Sequence, residues 1–384
     1  MVSTFKHGQT PLSIDTGNKS NPIRYLRVSG TRHQMGSQHG EALRVQIQNM
    51  ARQSRDQLRH QIGKLDKELD YRIQGMVPYV KRFFPELIEE VRGIAAGAAI
   101  DFFDAMLLQC RFELIYAPGH VEGGECTLVG VTAERSEHGT CIIAQNVDLS
   151  PFNLDYAVLL HMVPDCGPEV LTTTFSGILA QEGINSTGLG LCGSMVVPKG
   201  HRVGLPNRNF LRRAVLEQCS VEDALALIAR TLPRATGHNL MLSDISERLV
   251  DVEQTTVTHQ VLKPDATGII AHSNHYVADS LLEQEGLTGP TGSAVGAVER
   301  LDGSRERRQR MLELLDGVRG PIDVEHIKGF LRDHSGKVQS ICRHAETDSC
   351  KVDSVISLVS LPSQRTMQVA FGPPCDQEYR TFQL

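Results

Sequence analysis

The chain changes its hydrophobic rhythm several times along its length. Ile23-Arg24-Tyr25-Leu26-Arg27-Val28 alternates apolar and polar side chains and predicts a short strand. From Glu41 to about Gln74 helix-forming residues dominate, and further helical stretches cover 77–98 and 102–116, so the first third is mostly helical. At Gly123 the pattern becomes short apolar runs, 128–131, 141–144, 158–162, 170–175 and 189–197. Turn residues such as Ser136-Glu137-His138-Gly139 separate them, which predicts an antiparallel meander. Helical spacing returns over 208–232, where Leu211 and Val215, then Ala224, Leu225 and Ile228 after a Ser220 cap, share a face. Strands at 239–243 and 249–253, helices at 304–315 and 324–333, and a hairpin of 354–361 with 364–370 complete the reading. Helices, strands, helices, strands predict two sheets stacked face to face between helical layers, an α+β class. Residues 1–22, polar and rich in Gly, Ser, Asn and Pro, are expected to be a disordered lead-in.

Composition narrows the function. The 384 residues carry 39 basic and 45 acidic side chains in mixed order, a net charge of −6, so no nucleic-acid footprint is expected. Aromatic content is 5% with no Trp, which argues against a base-stacking platform. No apolar run approaches the ~20 residues that span a bilayer. The first residues lack a charged-then-apolar leader, and a cytoplasmic protein without membrane contact is expected. Nine scattered cysteines, an odd number, suit reduced thiols better than a disulfide framework.

One of those thiols stands apart. Cys126 follows Gly123-Gly124-Glu125 at the start of the first strand of the meander. Either it is a small buried hydrophobe, or the glycines let the chain bend back on the thiol. In the second case the thiol attacks the Glu125 carbonyl, an N-to-S acyl shift gives a thioester, and hydrolysis leaves Cys126 as a new first residue. Its α-amino group, with an ordinary pKa of about 7.7 to 8.0, then serves as base for its own thiol. A hairpin would return Asp148, at the end of Gln145-Asn146-Val147-Asp148, to the nucleophile, where its carboxylate would hold the α-ammonium; alternatively Asn146 and Asp148 are turn residues before Pro151. Asn239, opening an apolar strand, offers an amide to an oxyanion, or is itself a turn residue. His272 and His275, and Cys342 with His344, lack a second paired ligand at zinc-finger spacing, so no metal is expected. Gly188-Leu189-Gly190-Leu191-Cys192-Gly193 opens no helix, so no dinucleotide cofactor is expected.

The ordered set Cys126-Thr127, Gln145-Asn146-Val147-Asp148, Gly183-Ile184-Asn185-Ser186-Thr187-Gly188-Leu189, Gly237-His238-Asn239 and His272-Ser273-Asn274-His275 resembles the acyl-coenzyme A:6-aminopenicillanate acyltransferase family of N-terminal nucleophile hydrolases. Gly36-Ser37-Gln38-His39-Gly40, the run Ser304 to Arg310, Ser340-Ile341-Cys342-Arg343-His344 and Gly372-Pro373-Pro374-Cys375 extend the likeness over about residues 24–384. The resemblance implies the αββα sandwich and autocleavage between Glu125 and Cys126. Segments 23–125 and 126–384 would then form one domain as two chains that stay associated. It implies Cys126 as nucleophile, Asp148 as the carboxylate beside it, Asn239 with a backbone N–H near Ser194 or Met195 as oxyanion donors, and Arg307 from a helix that also carries Arg305, Arg308 and Arg310. Glu125 stands where a small residue often precedes the nucleophile. The implied activity is amide hydrolysis or transfer of an acyl group from a thioester such as acyl-CoA to an amine, with no other cofactor. The alternative is an unprocessed, non-catalytic binding protein of the same fold.

Overall fold

The computed structural model describes residues 12–15, 23–62, 66–115, 125–200, 203–286, 297–336, 339–347 and 351–384. Strands β1 (Leu12–Asp15) and β2 (Ile23–Gly30) lead into helices α1 (Arg32–Ala42), α2 (Arg44–Ile62), α3 (Asp66–Phe83), α4 (Pro85–Ala98) and α5 (Phe102–Ile115). Next come β3 (Glu125–Val131), β4 (Ile142–Leu149), β5 (Ala157–Pro164), β6 (Val170–Phe175), β7 (Glu182–Asn185) and β8 (Gly190–Ser194). Helices α6 (Asn207–Val215) and α7 (Val221–Arg230) precede β9 (His238–Ser243), β10 (Leu249–Gln254), β11 (His259–Leu262) and β12 (Ile269–His272). The chain closes with α8 (Ala297–Asp316), α9 (Val324–Leu331), β13 (Asp353–Leu361), β14 (Thr366–Phe371) and β15 (Arg380–Gln383).

Among the described residues these strands form two sheets, of nine strands in the order β1-β2-β5-β6-β7-β8-β9-β10-β11 and of six in the order β12-β3-β4-β13-β14-β15. One large core containing Leu128, Val147, Leu191 and Leu240 lies between them, and a second, with Val129, Ala144, Met311 and Ile327, lies between the six-stranded sheet and α8 and α9. The expected layering of two sheets between helices is therefore the architecture observed.

Three expectations need correction. The runs after Gly123 are not one meander: β3 and β4 pair with each other, but β13 fills the far side of β4. A 3-10 turn, Pro151–Tyr156, therefore carries the chain to the other sheet, where β5 lies parallel to β2. Strand β4 runs to Leu149 instead of stopping at Ala144. Its polar residues are buried with internal partners, Gln145 exchanging hydrogen bonds with Gly193 across the sheets (2.9 and 2.8 Å) and Asn146 Nδ2 donating to the Leu331 and Ile341 carbonyls. A reading by hydropathy stops at the first such residue. Within the expected disordered lead-in, residues 12–15 form an edge strand paired with 23–26, while the rest of 1–22 lies outside the described residues. Gly123 and Gly124 also lie outside them.

The run Gly36 to Gly40, read only as a motif, is helical. Thr31 caps α1, its Oγ1 accepting from the Gln34 N–H while the Gln34 side chain accepts from the Thr31 N–H (2.9 Å), a capping box. The glycines serve packing: a Cβ on Gly36 would lie 2.1 Å from the Glu90 carbonyl oxygen and one on Gly40 2.5 Å from that of Ile94. Gly93 and Gly97 on α4 face α1 in the same way, 2.2 Å from the His33 and Ser37 oxygens. Backbones this close leave no room for a methyl group. We expect Gly36→Ala to lower stability by roughly 3 kcal/mol, at the upper end of overpacking costs, read as a falling melting temperature in a Cys126→Ala background.

Candidate active site

The β3–β4 register places Asp148 directly opposite Glu125, and Val147 opposite Cys126. Alternation then sends Cys126 toward the nine-stranded sheet, and Glu125, Thr127 and Asp148 toward the helical layer. The peptide group between Glu125 and Cys126 lies at the strand start, and Cys126 is 1% exposed. The Cys126 N–H donates to Asn274 Oδ1 (2.8 Å), and its carbonyl accepts from Ser273 Oγ (3.0 Å). Asn274 is fixed in turn, Nδ2 donating to the Met195 carbonyl (3.0 Å) and its own N–H to Ser304 Oγ (2.7 Å).

Arg307 gathers this side of the site. It donates to Asn274 Oδ1 (2.8 Å), Thr127 Oγ1 (3.2 Å), Glu125 Oε2 (2.7 Å) and the Gln339 side chain. The Glu125 carboxylate also binds Arg343 and lies 3.3 Å from Arg300 Nε. Burial pushes the Glu125 carboxyl up, but Arg343, Arg307 and Arg300 outweigh it and hold it well below the usual carboxylate range. The helix register is thereby settled: Arg305 is 58% exposed beside Asp302, Arg308 donates to the Ala271 carbonyl, and Arg310 pairs with Asp333.

Asp148 is fully buried. Its Oδ1 accepts from Ser354 Oγ (2.6 Å), and its Oδ2 has no hydrogen-bond partner among the described residues. Burial, helped by Glu125, raises its pKa to about 7 against the pull of Arg343, Arg307 and the Ser354 hydrogen bond. Burial likewise pushes the Cys126 thiol up to about 12, with Glu182 and Asp148 adding to the shift and Arg208 and Arg212 opposing it. The thiol is therefore protonated at neutral pH.

On the thiol side, Arg212 pairs with Glu182 (2.6 Å) and donates to His238 Nε2 (3.0 Å). Gly193 leaves space for it, since a Cβ there would lie 2.6 Å from the guanidinium. Arg208 stacks its guanidinium 3.8 Å from the Phe112 ring, and its Nε and Nη2 have no hydrogen-bond partner among the described residues. Asn239 lies opposite Ser194 on the same sheet, but its amide nitrogen donates to Asp251 (2.7 Å) while its Oδ1 has no partner among the described residues. Both ring nitrogens of His272 face acceptors, Glu253 Oε1 (2.7 Å) and the Ser273 carbonyl (2.9 Å), an arrangement that asks for an imidazolium. That ion pair joins β12 of one sheet to β10 of the other. His275 is held by Ser304 Oγ (2.7 Å), so these two histidines are hydrogen-bonded structural groups.

The structure thus brings Glu125, Cys126, Asp148 and Arg307 to one strand end, with Asn239 in the neighbouring sheet. Sequence reasoning assigned no role to Arg343, Asn274, Ser273, Ser304, Arg208 or Arg212. Arg343 and Asn274 sat inside runs noted as motifs. Arg208 and Arg212 had no signal, because Asn207-Arg208-Asn209-Phe210-Leu211-Arg212-Arg213 is as polar as a solvent-facing helix although every one of its residues is buried.

Two face-to-face sheets between helical layers, with a cysteine near the start of a central strand and a carboxylate across the hairpin, define the N-terminal nucleophile class. The sequence model of the acyl-coenzyme A:6-aminopenicillanic acid acyl-transferase family matches residues 135–376, and the chain belongs to that family of enzymes acting on amide carbon–nitrogen bonds. It is 24% identical over 352 residues, 91% of this chain and 93% of the relative, to the 40 kDa form of acyl-coenzyme A:6-aminopenicillanic-acid-acyltransferase of Emericella nidulans. Among solved structures it is similar to conjugated bile acid hydrolase from Clostridium perfringens, at 16% identity and a TM-score of 0.41, covering 67% of this chain and 97% of that one. It is also similar to penicillin V acylase from Agrobacterium tumefaciens, at 13% identity and a TM-score of 0.45, covering 67% and 86%. No helix among the described residues is long and apolar enough to cross a membrane.

Proposed function

We propose that the chain cuts itself between Glu125 and Cys126 and then transfers acyl groups through a thioester on Cys126. One observation carries this reading: the peptide before Cys126 is gripped on both sides, its N–H by Asn274 and its Glu125 carboxylate by three arginines. Cys126 Sγ attacks the Glu125 carbonyl carbon, the C–N bond breaks as the nitrogen takes a proton, and water hydrolyses the thioester. The products are a Glu125 carboxylate and a free α-amino group on Cys126. Asp148 then faces the α-ammonium it is placed to hold, a positive charge that favours its ionised form.

In the mature enzyme the α-amino group takes the thiol proton, an amide or an acyl thioester such as acyl-CoA acylates Sγ, and water or an amine resolves the acyl-enzyme. Asn239 and the backbone near Ser194 and Met195 supply donors to the oxyanion, and Arg208 adds positive charge beside the sulfur. Incubation with a panel of linear amides and acyl-CoAs, followed by mass spectrometry of the peptide that begins at Cys126, should find an acyl adduct. Free acid as product marks a hydrolase and a new amide an acyltransferase. A full-length chain that never forms that peptide sinks the reading.

The pH dependence follows from Asp148. Its carboxyl titrates near 7 instead of 3.8, so the ionised form that can accept a proton appears only as pH rises through neutrality. The processing rate should climb through about pH 7, and Asp148→Asn should lose that limb. Stability runs the opposite way: a raised pKa favours the fold below 3.8, and that contribution is lost as pH rises through about 7. In the Cys126→Ala chain, Asp148→Asn should therefore gain stability relative to Asp148 across that window, measured by thermal melts at each pH.

A further inference from the structure

The loop after α9 and the turn after β14 bring His334, Cys342, His344 and Cys375 together, one ligand atom of each within 4.8 Å of the others. His334 Nε2 and His344 Nε2 are 3.2 Å apart, and Cys342 Sγ and Cys375 Sγ 3.7 Å apart. His344 Nε2 lies 3.8 Å from Cys342 Sγ and 3.2 Å from Cys375 Sγ. A zinc ion about 2.3 Å from sulfur and about 2.05 Å from nitrogen needs tetrahedral edges of about 3.8 Å for S···S, about 3.35 Å for N···N and about 3.6 Å for S···N. These four edges lie within about 0.4 Å of the ideal values, and the two from His334 to the sulfurs are no longer than 4.8 Å. One donor atom of each of the four residues thus borders one volume, and the sulfurs are free thiols, far beyond the ~2.05 Å of a disulfide.

We propose that these four residues bind one zinc ion in a closed, tetrahedral Cys2His2 site. Two thiolates and two imidazoles are a donor set that suits zinc, and four protein ligands leave no open position for substrate, which makes the site structural. Binding releases the two thiol protons as Cys342 and Cys375 become thiolates. The sequence-based expectation of no metal rested on the lack of a second pair of ligands at zinc-finger spacing. The missing ligands come from ten residues before His344 and thirty-one after it, a spacing that only the fold closes.

The site brackets Arg343. Between its two ligand neighbours, Arg343 exchanges backbone hydrogen bonds with Ser354 (3.0 Å to Oγ and 3.1 Å from its N–H), whose hydroxyl donates to Asp148, and its guanidinium binds Glu125. The ion would clamp that loop to the β14–β15 turn, making the four ligands positioning residues for Arg343. This consequence rests on the proposed self-cleavage, whereas metal binding does not.

Full-length protein, prepared reduced and without a metal-affinity tag, should hold one zinc per chain by elemental analysis. Cobalt substitution should give the visible bands of tetrahedral Co2+ with thiolate-to-metal charge transfer. His334→Ala, at an exposed position that the fold tolerates, and Cys375→Ser should each weaken binding by more than the roughly 10- to 100-fold that losing an outer partner costs. Cys166→Ser, an exposed thiol elsewhere, should leave the zinc content unchanged. Zinc-free protein that stays empty when supplied with zinc or cobalt, a Cys342–Cys375 disulfide in freshly isolated material, or equal zinc content in all variants would overturn the site. Bound zinc with unaltered self-cleavage after its removal would leave the site standing and refute its hold on Arg343.

Discussion

With Cys126 replaced by alanine, a denaturing gel should show one band at 42.3 kDa where the wild type shows two, near ~14 and ~28 kDa at about 110 Da per residue. No acyl adduct should form with any substrate. The side chain removed is the only group on the scissile peptide that can attack its carbonyl, and the fold has little reason to fail. Cys126 sits among core residues, and losing one sulfur from a buried site costs far less than losing a whole apolar side chain. Cys192→Ala and Cys110→Ala are the controls. Both thiols are buried, and burial raises both well above the ordinary thiol range, yet neither adjoins Glu125 in the chain. They should cut normally, and a normally cut Cys126→Ala chain would end the assignment.

Arg307→Ala should be nearly as damaging, by a different route. The guanidinium is fully buried and touches Glu125, Thr127, Asn274 and Gln339 at once. Removing one partner from a buried ion pair leaves uncompensated charge and typically costs about 3–5 kcal/mol. Arg343 and Arg300 remain to share the Glu125 charge, so the lower end of that range is expected in denaturant melts in a Cys126→Ala background. Cleavage should slow as well, because Asn274, which holds the Cys126 N–H, loses the donor that fixes its oxygen. Arg305→Ala, two positions away on the same helix, removes an exposed pair and should change stability by less than about 0.5 kcal/mol with cleavage unaltered. Equal effects of the two substitutions would show that the helix register described above is wrong.

The layers of the fold were legible because they depend on pattern. Runs such as 170–175 became β6 unchanged, and the four-layer order survived. What hydropathy could not convey was polarity turned inward. Asn146 and Asp148, which could also be read as turn residues, are the buried end of β4 with Gln145, held by partners from β8, α9, the 341 loop and the Ser354 hydroxyl. Residues 30–40 received no helix in the sequence reading, because Gly36 and Gly40 weaken a helix in isolation, and α4 supplies the contact that compensates. The site showed the same division. Cys126 and Asp148 lie on two paired strands, and local order in the sequence reports such a pair. Arg343, Asn274 and Arg208 reach it from distant segments, and only the folded chain makes them neighbours.

The parallel pairing of β2 with β5 has a kinetic side. Strand β2, carrying the buried Ile23, Leu26 and Val28, precedes the Glu125–Cys126 bond, and β5 follows it. The uncut chain assembles this ladder as a unimolecular event whose rate ignores protein concentration. Once the bond is cut the same ladder joins two molecules, and recovery from denaturation becomes second order. Self-cleavage would thus convert a protein that can refold alone into one that, in dilute solution, unfolds essentially once.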